Sequence, residues 1–152
     1  MGTMQNCPHC GCEIEQRPIK RSVPQNRRYF KLIKAAFSNW PEGHEFQPRD
    51  SDHLRRWLQC KAGHYSTQRI DVDSDDPSIL KLVKIATQAA FDAAKADAWC
   101  KVFDKTIVVF SPLSIAFDKL GHNAACALLA DVEAIIETEL GVKSDDLLRE
   151  AA

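Results

Sequence analysis

Two cysteines near the N-terminus have the spacing of a zinc knuckle. Cys7 and Cys10 are separated by two residues, and Gly11 follows directly. Two thiolates at this spacing can hold one ion, and the glycine lets backbone N–H groups turn toward the sulfurs. We therefore predict that Cys7 and Cys10 bind a zinc ion.

One knuckle supplies only two of the four ligands that structural zinc requires. The first choice for the second pair is Cys60 with His64, at the end of a predicted helix, although a free cysteine such as Cys60 can also simply be buried in a core. Four protein ligands would leave no open position on the ion, which indicates a structural site. The alternatives that stay open are His9, Cys12, and the pair of His122 and Cys126, one helical turn apart.

The chain also carries a row of cations on one side of a predicted helix. With about 100° per residue, Arg27, Lys31 and Lys34 fall close together, and Arg28 lies at the edge of the same arc. The opposite side is apolar and is predicted to pack. A charged helix face is usually just solvated, but this row contains no acid, so we interpret it as a surface that neutralises phosphates.

Further cations precede and follow that row, and aromatic residues are interleaved with them. Such rings could stack on unpaired bases, although Trp57 has the helical spacing of a core residue. No base-reading motif is present, so we expect contact with the backbone of a nucleic acid, independent of its sequence. The residues predicted to contact nucleic acid are Arg21, Arg27, Arg28, Lys31, Lys34, Arg55 and Arg56.

A small set of predicted elements must position these residues. Ser22 and Gln25 can form a capping box at the start of the first helix. An apolar stripe that includes Ile79, Leu82 and Ala86 marks the third helix. Together the patterns predict helices at about 23–39, 51–62, from 78 onward and 122–140, and strands at 65–72, 99–103 and 106–110.

The order of these elements predicts an α+β fold with four helices, a small antiparallel sheet and an N-terminal zinc-knuckle arm. We expect residues 1–20 to form the Cys-rich arm. We expect residues 21–141 to form a single domain and residues 142–152 a C-terminal tail.

The net charge of −1 conceals an uneven distribution along the chain. Residues 1–70 carry 12 Lys and Arg against 6 Asp and Glu, whereas residues 71–152 carry 8 against 15. This split indicates either a polyanion-binding face or head-to-tail association. The chain has neither a membrane-spanning apolar run nor an export signal, so we expect a cytoplasmic protein with reduced cysteines.

The sequence offers no positive sign of catalysis. It contains no P-loop, no G-x-S-x-G and no H-E-x-x-H. Asp71, Asp73 and Asp75 alternate, but Leu82 stands where a calcium loop needs glutamate. We therefore expect the protein not to be an enzyme, with a metal-dependent nuclease as the weakest alternative.

Several blocks of the sequence resemble the NinB/Orf family of phage recombination proteins and related small phage proteins of unknown function. The first block is R-S-x-x-Q-N-R with a following aromatic, formed by Arg21, Ser22, Gln25, Asn26, Arg27 and Phe30. The others are WPE at 40–42, HLRRWLQCKAGHY at 53–65 and SIAFDKL at 114–120. The resemblance covers about residues 20–141.

The resemblance implies a homodimer in the cytoplasm of a bacterial host that binds DNA, preferentially single-stranded. It also implies a role in loading a phage annealing protein or recombinase past the host single-strand-binding protein. The family supplies no catalytic residues, and the Cys7 and Cys10 knuckle is an addition to its pattern. The alternative function is a phage-encoded regulator or inhibitor that binds a host complex, with the uneven charge serving partner docking.

Overall fold

The computed structural model describes residues 4–6, 8–11, 13–15, 23–115 and 121–152. In chain order they form strands β1 (Met4–Asn6) and β2 (Glu13–Glu15), helices α1 (Val23–Ser38) and α2 (Ser51–Lys61), strand β3 (Tyr65–Asp71), helix α3 (Pro77–Ala93), strands β4 (Trp99–Phe103) and β5 (Thr106–Pro112), and helices α4 (His122–Leu140) and α5 (Ser144–Glu150). The predicted α+β class is confirmed. We predicted one domain over 21–141, and the structure divides the chain into two compact units, residues 1–62 with 114–152 and residues 63–113.

Capping residues and a glycine determine where the helices begin and end. Asp50 accepts a 2.7 Å hydrogen bond from the backbone N–H of His53 at the start of α2, and this bond lowers the pKa of the Asp50 carboxyl. Asp76 caps α3, and Pro77 occupies its first turn, where a missing N–H costs nothing. Helix α4 ends at Gly141, whose φ of 66° is left-handed.

In the first unit, α1, α2 and α4 each bury an apolar side. Leu32 and Ile33 of α1, Leu54 of α2 and Ile136 of α4 are at most 2% exposed. Each buried aliphatic side chain contributes about 1.5–3 kcal/mol, so these contacts determine how the helices are rotated. The apolar side predicted for α1 is confirmed, although Phe30 at its edge is exposed.

Aromatic rings pack between the segment after α1 and helix α2. Trp40 and Trp57 meet edge to face at 5.6 Å between centroids, and Phe46 stacks on Trp57 at 4.7 Å. The indole N–H of Trp40 donates to the Phe46 carbonyl at 2.9 Å. His44 Nε2 lies 2.8 Å from a carboxylate oxygen of Glu139 on α4. Trp57 is therefore the core residue that its spacing indicated, and neither indole is open to a base.

The predicted C-terminal tail contains a fifth helix, α5. Its Leu147 is 2% exposed, and Ser144 donates from its hydroxyl to Glu133 of α4. The Ser144 backbone N–H donates to Glu137 at 2.9 Å, and this bond lowers the pKa of the Glu137 carboxyl. We predicted four helices because α5 spans only seven residues, too few to show a periodic pattern.

The second unit is built on a three-stranded antiparallel sheet. Its strand order is β3–β5–β4, with Tyr65 opposite Pro112 and Trp99 opposite Phe110. The predicted hairpin is confirmed. It turns at residues 104–105, where Asp104 has a left-handed φ of 54°.

Helix α3 covers one face of this sheet. Cys100, Ile107 and Val109 are buried there, with Val83 and Phe91 of α3 packed against them. The side chain of one α3 residue, Gln88, donates to the Ala98 carbonyl and accepts from the Cys100 N–H, both at 2.9 Å. These bonds attach the start of β4 to the middle of α3.

The apolar stripe that marks α3 in the sequence lies mostly on its exposed side. Ile79, Leu82 and Ile85 are 43%, 66% and 54% exposed. The helix packs through its other side, where Leu80 is buried and Val83 is half-buried. An apolar surface therefore remains open along α3.

We expect Ile107→Ala to lower the free energy of unfolding by about 2–5 kcal/mol, because it leaves a cavity at a fully buried position. In the monomeric protein at low concentration, Ile85→Ala, on the exposed side of α3 in the same unit, should change it by less than about 0.5 kcal/mol. Urea denaturation followed by circular dichroism measures both. Equal losses would contradict the outward orientation of the stripe.

Candidate metal centre

Two ligand side chains lie together on the first two turns of α4. His122 and Cys126 are four residues apart and so project from the same side of the helix. They are 4% and 5% exposed, and His122 Nε2 lies 3.4 Å from Cys126 Sγ. His122 Nδ1 is buried and has no hydrogen-bond partner among the residues that the structure describes. Nε2 is therefore the nitrogen that faces the sulfur.

Cys10 reaches this pair from the N-terminal arm. Strands β1 and β2 pair antiparallel, and Cys10 lies in the connection between them. Gly11 has a left-handed φ of 71°, a conformation that glycine adopts without strain. The sulfur of Cys10 lies 3.7 Å from Cys126 Sγ and 3.9 Å from His122 Nε2.

These three ligand atoms form one group that can hold a metal ion. All lie within 4.8 Å of one another, although 112 residues separate Cys10 from His122 along the chain. Thiolate and imidazole are donors that suit zinc, copper and iron better than calcium or magnesium. Cys10 is exposed, whereas His122 and Cys126 are buried.

A residue of α1 also contacts one of the sulfurs. The side-chain amide of Gln25 donates to Cys126 Sγ at 3.2 Å. A donated hydrogen bond stabilises a thiolate and orients it, as residues that surround a metal site commonly do. We predicted a capping role for Gln25 with Ser22, and Ser22 lies outside the described residues. The Gln25 contact with a metal-site sulfur has no signature in the sequence.

The pair that meets Cys10 is His122 with Cys126, one of the alternatives from the sequence, and not Cys60 with His64. Helix α2 ends at Lys61, and Gly63 has a left-handed φ of 86°. Cys60 and His64 therefore do not share a helix face, since His64 directly precedes β3 in the second unit.

The remaining predicted ligands fall into two groups. Cys7 and Cys12 lie outside the described residues, and His9 is exposed in the same turn as Cys10.

Cys100, which no pattern singled out, is buried in the core of the sheet. Burial raises the pKa of the Cys100 thiol, which favours an inert structural cysteine.

The cations predicted to contact nucleic acid separate into free and paired side chains. Arg27, Lys31 and Lys34 are exposed along α1 and form no ion pair with any acid in the described ranges. Arg21 lies outside those ranges. Arg28, which the helical periodicity of about 100° per residue placed at the edge of the row, is half-buried.

Three of the predicted cations are engaged by carboxylates. Arg28 lies 2.9 Å from Glu133 of α4 and 3.0 Å from Asp145 of α5. Arg55 and Arg56 both pair with Asp52 on their own helix, at 2.8 Å and 2.9 Å, and the Arg55 side chain is only 12% exposed. Of the six predicted contacts that the structure describes, three are therefore open cations: Arg27, Lys31 and Lys34.

We expect Cys10→Ser and Cys126→Ser each to abolish stoichiometric metal binding, because each removes a ligand atom from the group. Cys60→Ser is the matched control and should keep its metal. Metal content after dialysis, measured by mass spectrometry, checks all three. Loss of the ion in Cys60→Ser with retention in Cys126→Ser would instead support the ligand pair that was predicted first.

Comparisons of the chain with protein-family models, with curated proteins and with solved structures find no match. The resemblance to phage recombination proteins therefore rests on the sequence blocks quoted above. Within the described part of the chain, no helix is long and apolar enough to cross a membrane.

Proposed function

We propose that this protein is a phage recombination accessory protein that binds single-stranded DNA on α1, without sequence specificity. The observation that supports this most is the open row of Arg27, Lys31 and Lys34, which no acid in the described residues neutralises. With a rise of about 1.5 Å per residue, the row extends about 10 Å along the helix. Side chains spaced in this way contact the phosphate backbone rather than base edges, so affinity would not depend on sequence.

A groove beside the row supports the same proposal. It has a volume of about 590 Å³ and lies between α1 and the C-terminal end of α5. Lys31 and Lys34 line it together with apolar groups of Ala35 and Leu148, the amide of Asn39 and one acidic side chain, Glu150. A base attached to a phosphate held by the lysines could enter such a groove.

We further propose that the ion of the metal centre is structural zinc. In a tetrahedral site with Zn–S of about 2.3 Å and Zn–N of about 2.0–2.1 Å, two sulfurs are about 3.8 Å apart and a sulfur and a nitrogen about 3.6 Å. The corresponding distances here are 3.7 Å between the sulfurs and 3.4 Å and 3.9 Å to His122 Nε2. Cys7, separated from Cys10 by two residues, would supply the fourth ligand and complete a Cys₃His site.

Zinc at this centre would hold the arm to α4 and fix the start of α1. Gln25 contacts Cys126 and lies two residues before Arg27, the first cation of the row. Binding of a structural zinc ion supplies folding free energy to the segments that provide its ligands. We therefore expect metal removal to weaken DNA binding indirectly.

We expect the triple variant Arg27→Gln, Lys31→Gln, Lys34→Gln to bind oligothymidine more weakly and with a lower salt dependence. Each neutralised phosphate on a single strand contributes about 0.7 to the slope of log K against log salt, so the slope should fall by about 2. Fluorescence anisotropy across a salt series measures both quantities. The control replaces three exposed lysines elsewhere, Lys95, Lys105 and Lys143, with Gln.

Equal slopes for the triple variant and its control would contradict the α1 contact. If the wild-type protein binds no oligonucleotide at low salt, the alternative of a protein-binding regulator or inhibitor of a host complex is favoured. Capture of a host protein from nuclease-treated lysate would then support that alternative.

One observation favours a protein contact as well, and we propose that it serves self-association. The exposed side of α3 presents an apolar arc from Ile85 through Leu82 to Ile79, with no charge inside it. The side chains in the N-terminal half of the arc are large, whereas those in its C-terminal half are the small side chains of Ala89, Ala90 and Ala93. A second copy packed antiparallel would place the large side chains of each helix on the small ones of the other.

Charges at the edge of the arc favour the same arrangement. Lys81 and Asp92 flank the arc on one side, near its two ends. In an antiparallel pair with its two-fold axis near Ala86, Lys81 of each copy would lie opposite Asp92 of the other. A parallel pair would instead place the two copies of each charge on opposite edges of the contact, where neither meets a partner of opposite sign. The predicted homodimer would therefore use α3.

We expect Leu82→Glu to convert the dimer into a monomer, because it buries an unpaired charge in the contact. Lys81→Asp should weaken the dimer, and the double swap Lys81→Asp, Asp92→Lys should restore it. Light scattering after size-exclusion chromatography measures the mass of each variant. A wild-type protein that stays monomeric at high concentration, or a Leu82→Glu variant that stays dimeric, would contradict the α3 contact.

A further inference from the structure

The sheet of the second unit has a face that α3 does not cover. Buried Cys100, Ile107 and Val109 point toward α3, and alternate residues of the strands point to the opposite face. The register places the following residues on that opposite face: Tyr65, Thr67, Arg69 and Asp71 of β3, Thr106, Val108, Phe110 and Pro112 of β5, and Trp99, Lys101 and Phe103 of β4. We call these residues the open sheet face.

Aromatic rings and cations alternate in rows across the open sheet face. One row runs from Trp99 through Phe110, and the next has Lys101 and Arg69 on the two sides of the central strand. Neighbouring strands lie about 4.8 Å apart, so the two cations flank the middle of the face at about 10 Å. On this face, side chains that can stack on a base therefore neighbour side chains that can bind a phosphate.

Several side chains of this face are exposed, whereas Phe110 and Trp99 are half-buried and Thr106 is buried. Phe103 and Tyr65 are 54% and 37% exposed, and Lys101 and Arg69 are exposed. The Tyr65 ring meets the Phe110 ring edge to face at 4.9 Å, and Lys101 Nζ lies 5.9 Å from the Phe110 ring. These contacts pre-order the rings before any ligand arrives.

We propose that the open sheet face is a second site for single-stranded nucleic acid, on which bases stack on Phe103, Phe110 and Tyr65 while Arg69 and Lys101 bind phosphates. Aromatic side chains on a sheet, accompanied by cations, are a sequence-tolerant means of holding unpaired bases. Double-stranded nucleic acid is excluded from such stacking because its bases are already stacked and paired. The proposal takes its class of ligand, single-stranded nucleic acid, from the proposed function. The surface that it assigns to that ligand is argued independently.

Charge favours a nucleic acid over a protein partner at this site. The only acid on the face is Asp71, at one end, where it accepts a 2.8 Å hydrogen bond from the Thr106 hydroxyl. An apolar protein surface would bury Arg69 and Lys101 without partners, which is costly. A phosphate backbone supplies partners for both cations and leaves the rings to the bases.

The test compares two variants of the full-length protein with a matched control. Phe103→Ala and the double variant Arg69→Gln, Lys101→Gln should each weaken oligothymidine binding about tenfold or more, since one stacked base contributes a comparable factor. Ile70→Ala is the control, because Ile70 is also exposed, at 39%, but lies on the opposite face of the sheet. Fluorescence anisotropy measures affinity, and circular dichroism checks that each variant folds.

Intrinsic fluorescence gives an independent readout. Trp40 and Trp57 are buried, whereas Trp99 is half-buried on the open sheet face, so quenching by oligothymidine reports mainly on Trp99. We expect quenching in the wild-type protein and less of it in the Arg69→Gln, Lys101→Gln variant. Quenching that is the same in both would overturn the proposal.

The α1 triple variant separates this proposal from the proposed function. If that variant loses binding while the sheet variants keep wild-type affinity, the sheet proposal fails and the α1 contact stands. If the sheet variants lose binding and the α1 variant does not, the sheet proposal stands alone. Sheet variants that change the oligomeric mass but not the affinity identify a protein interface and overturn the proposal, and a wild-type protein that binds no single strand overturns both.

Discussion

The first unit depends on how α1 is rotated about its own axis. Its apolar side, with Leu32, Ile33 and Ala36, is almost completely buried, and the helix contacts α2, α4 and α5. Because three other helices pack against α1, the residues of α1 that remain exposed to solvent are determined by that packing. Arg28 lies at the boundary and is fixed there by Glu133 and Asp145. The exposure of the remaining cations is therefore a consequence of packing.

The cluster of Cys10, His122 and Cys126 also contacts this helix, at its first turn. Cys126 receives the Gln25 amide and lies beside the Cys10 sulfur, so one turn of α4 is in contact with both the arm and the start of α1. Arg28 acts further along, where Glu133 lies two turns beyond Cys126 on α4. The two contacts together fix the position of α1 along α4, which neither would do alone.

The sequence predicts the helices and strands well because their apolar periods and end signals are local. It does not decide between the two ligand pairs, because the spacing of Cys60 with His64 equals that of His122 with Cys126. What differs is whether a helix continues through both residues. Gly63 interrupts the first pair, and an uninterrupted α4 presents the second. That glycine was already recognisable as a helix stop, so the signal was present, although the approach of Cys10 over 112 residues was not.

The basic half and the acidic half of the sequence do not correspond to two oppositely charged units of the fold. Helices α4 and α5 return to the first unit, so residues 1–62 and 114–152 together carry 14 Lys and Arg and 14 Asp and Glu. Several of those acids are used locally, as Glu133 is by Arg28 and Glu139 by His44. The proposed binding of a single strand on α1 therefore cannot depend on the net charge of one half of the sequence.

A neutral unit can still attract a phosphate backbone at one place. At physiological salt, exposed charges separated by more than about 8 Å are largely screened from one another, so a phosphate responds to the nearest side chains and not to the total. Along α1 those are Arg27, Lys31 and Lys34, which form no ion pair with a described acid, although Glu150 lines the groove beside the two lysines. On the open sheet face they are Arg69 and Lys101, and Asp71 lies two residues from Arg69 on the same strand. Short patches of exposed positive charge, each beside apolar or aromatic groups, suit a flexible single strand, whose backbone can adapt to each patch separately. A rigid duplex would need such cations along one continuous line.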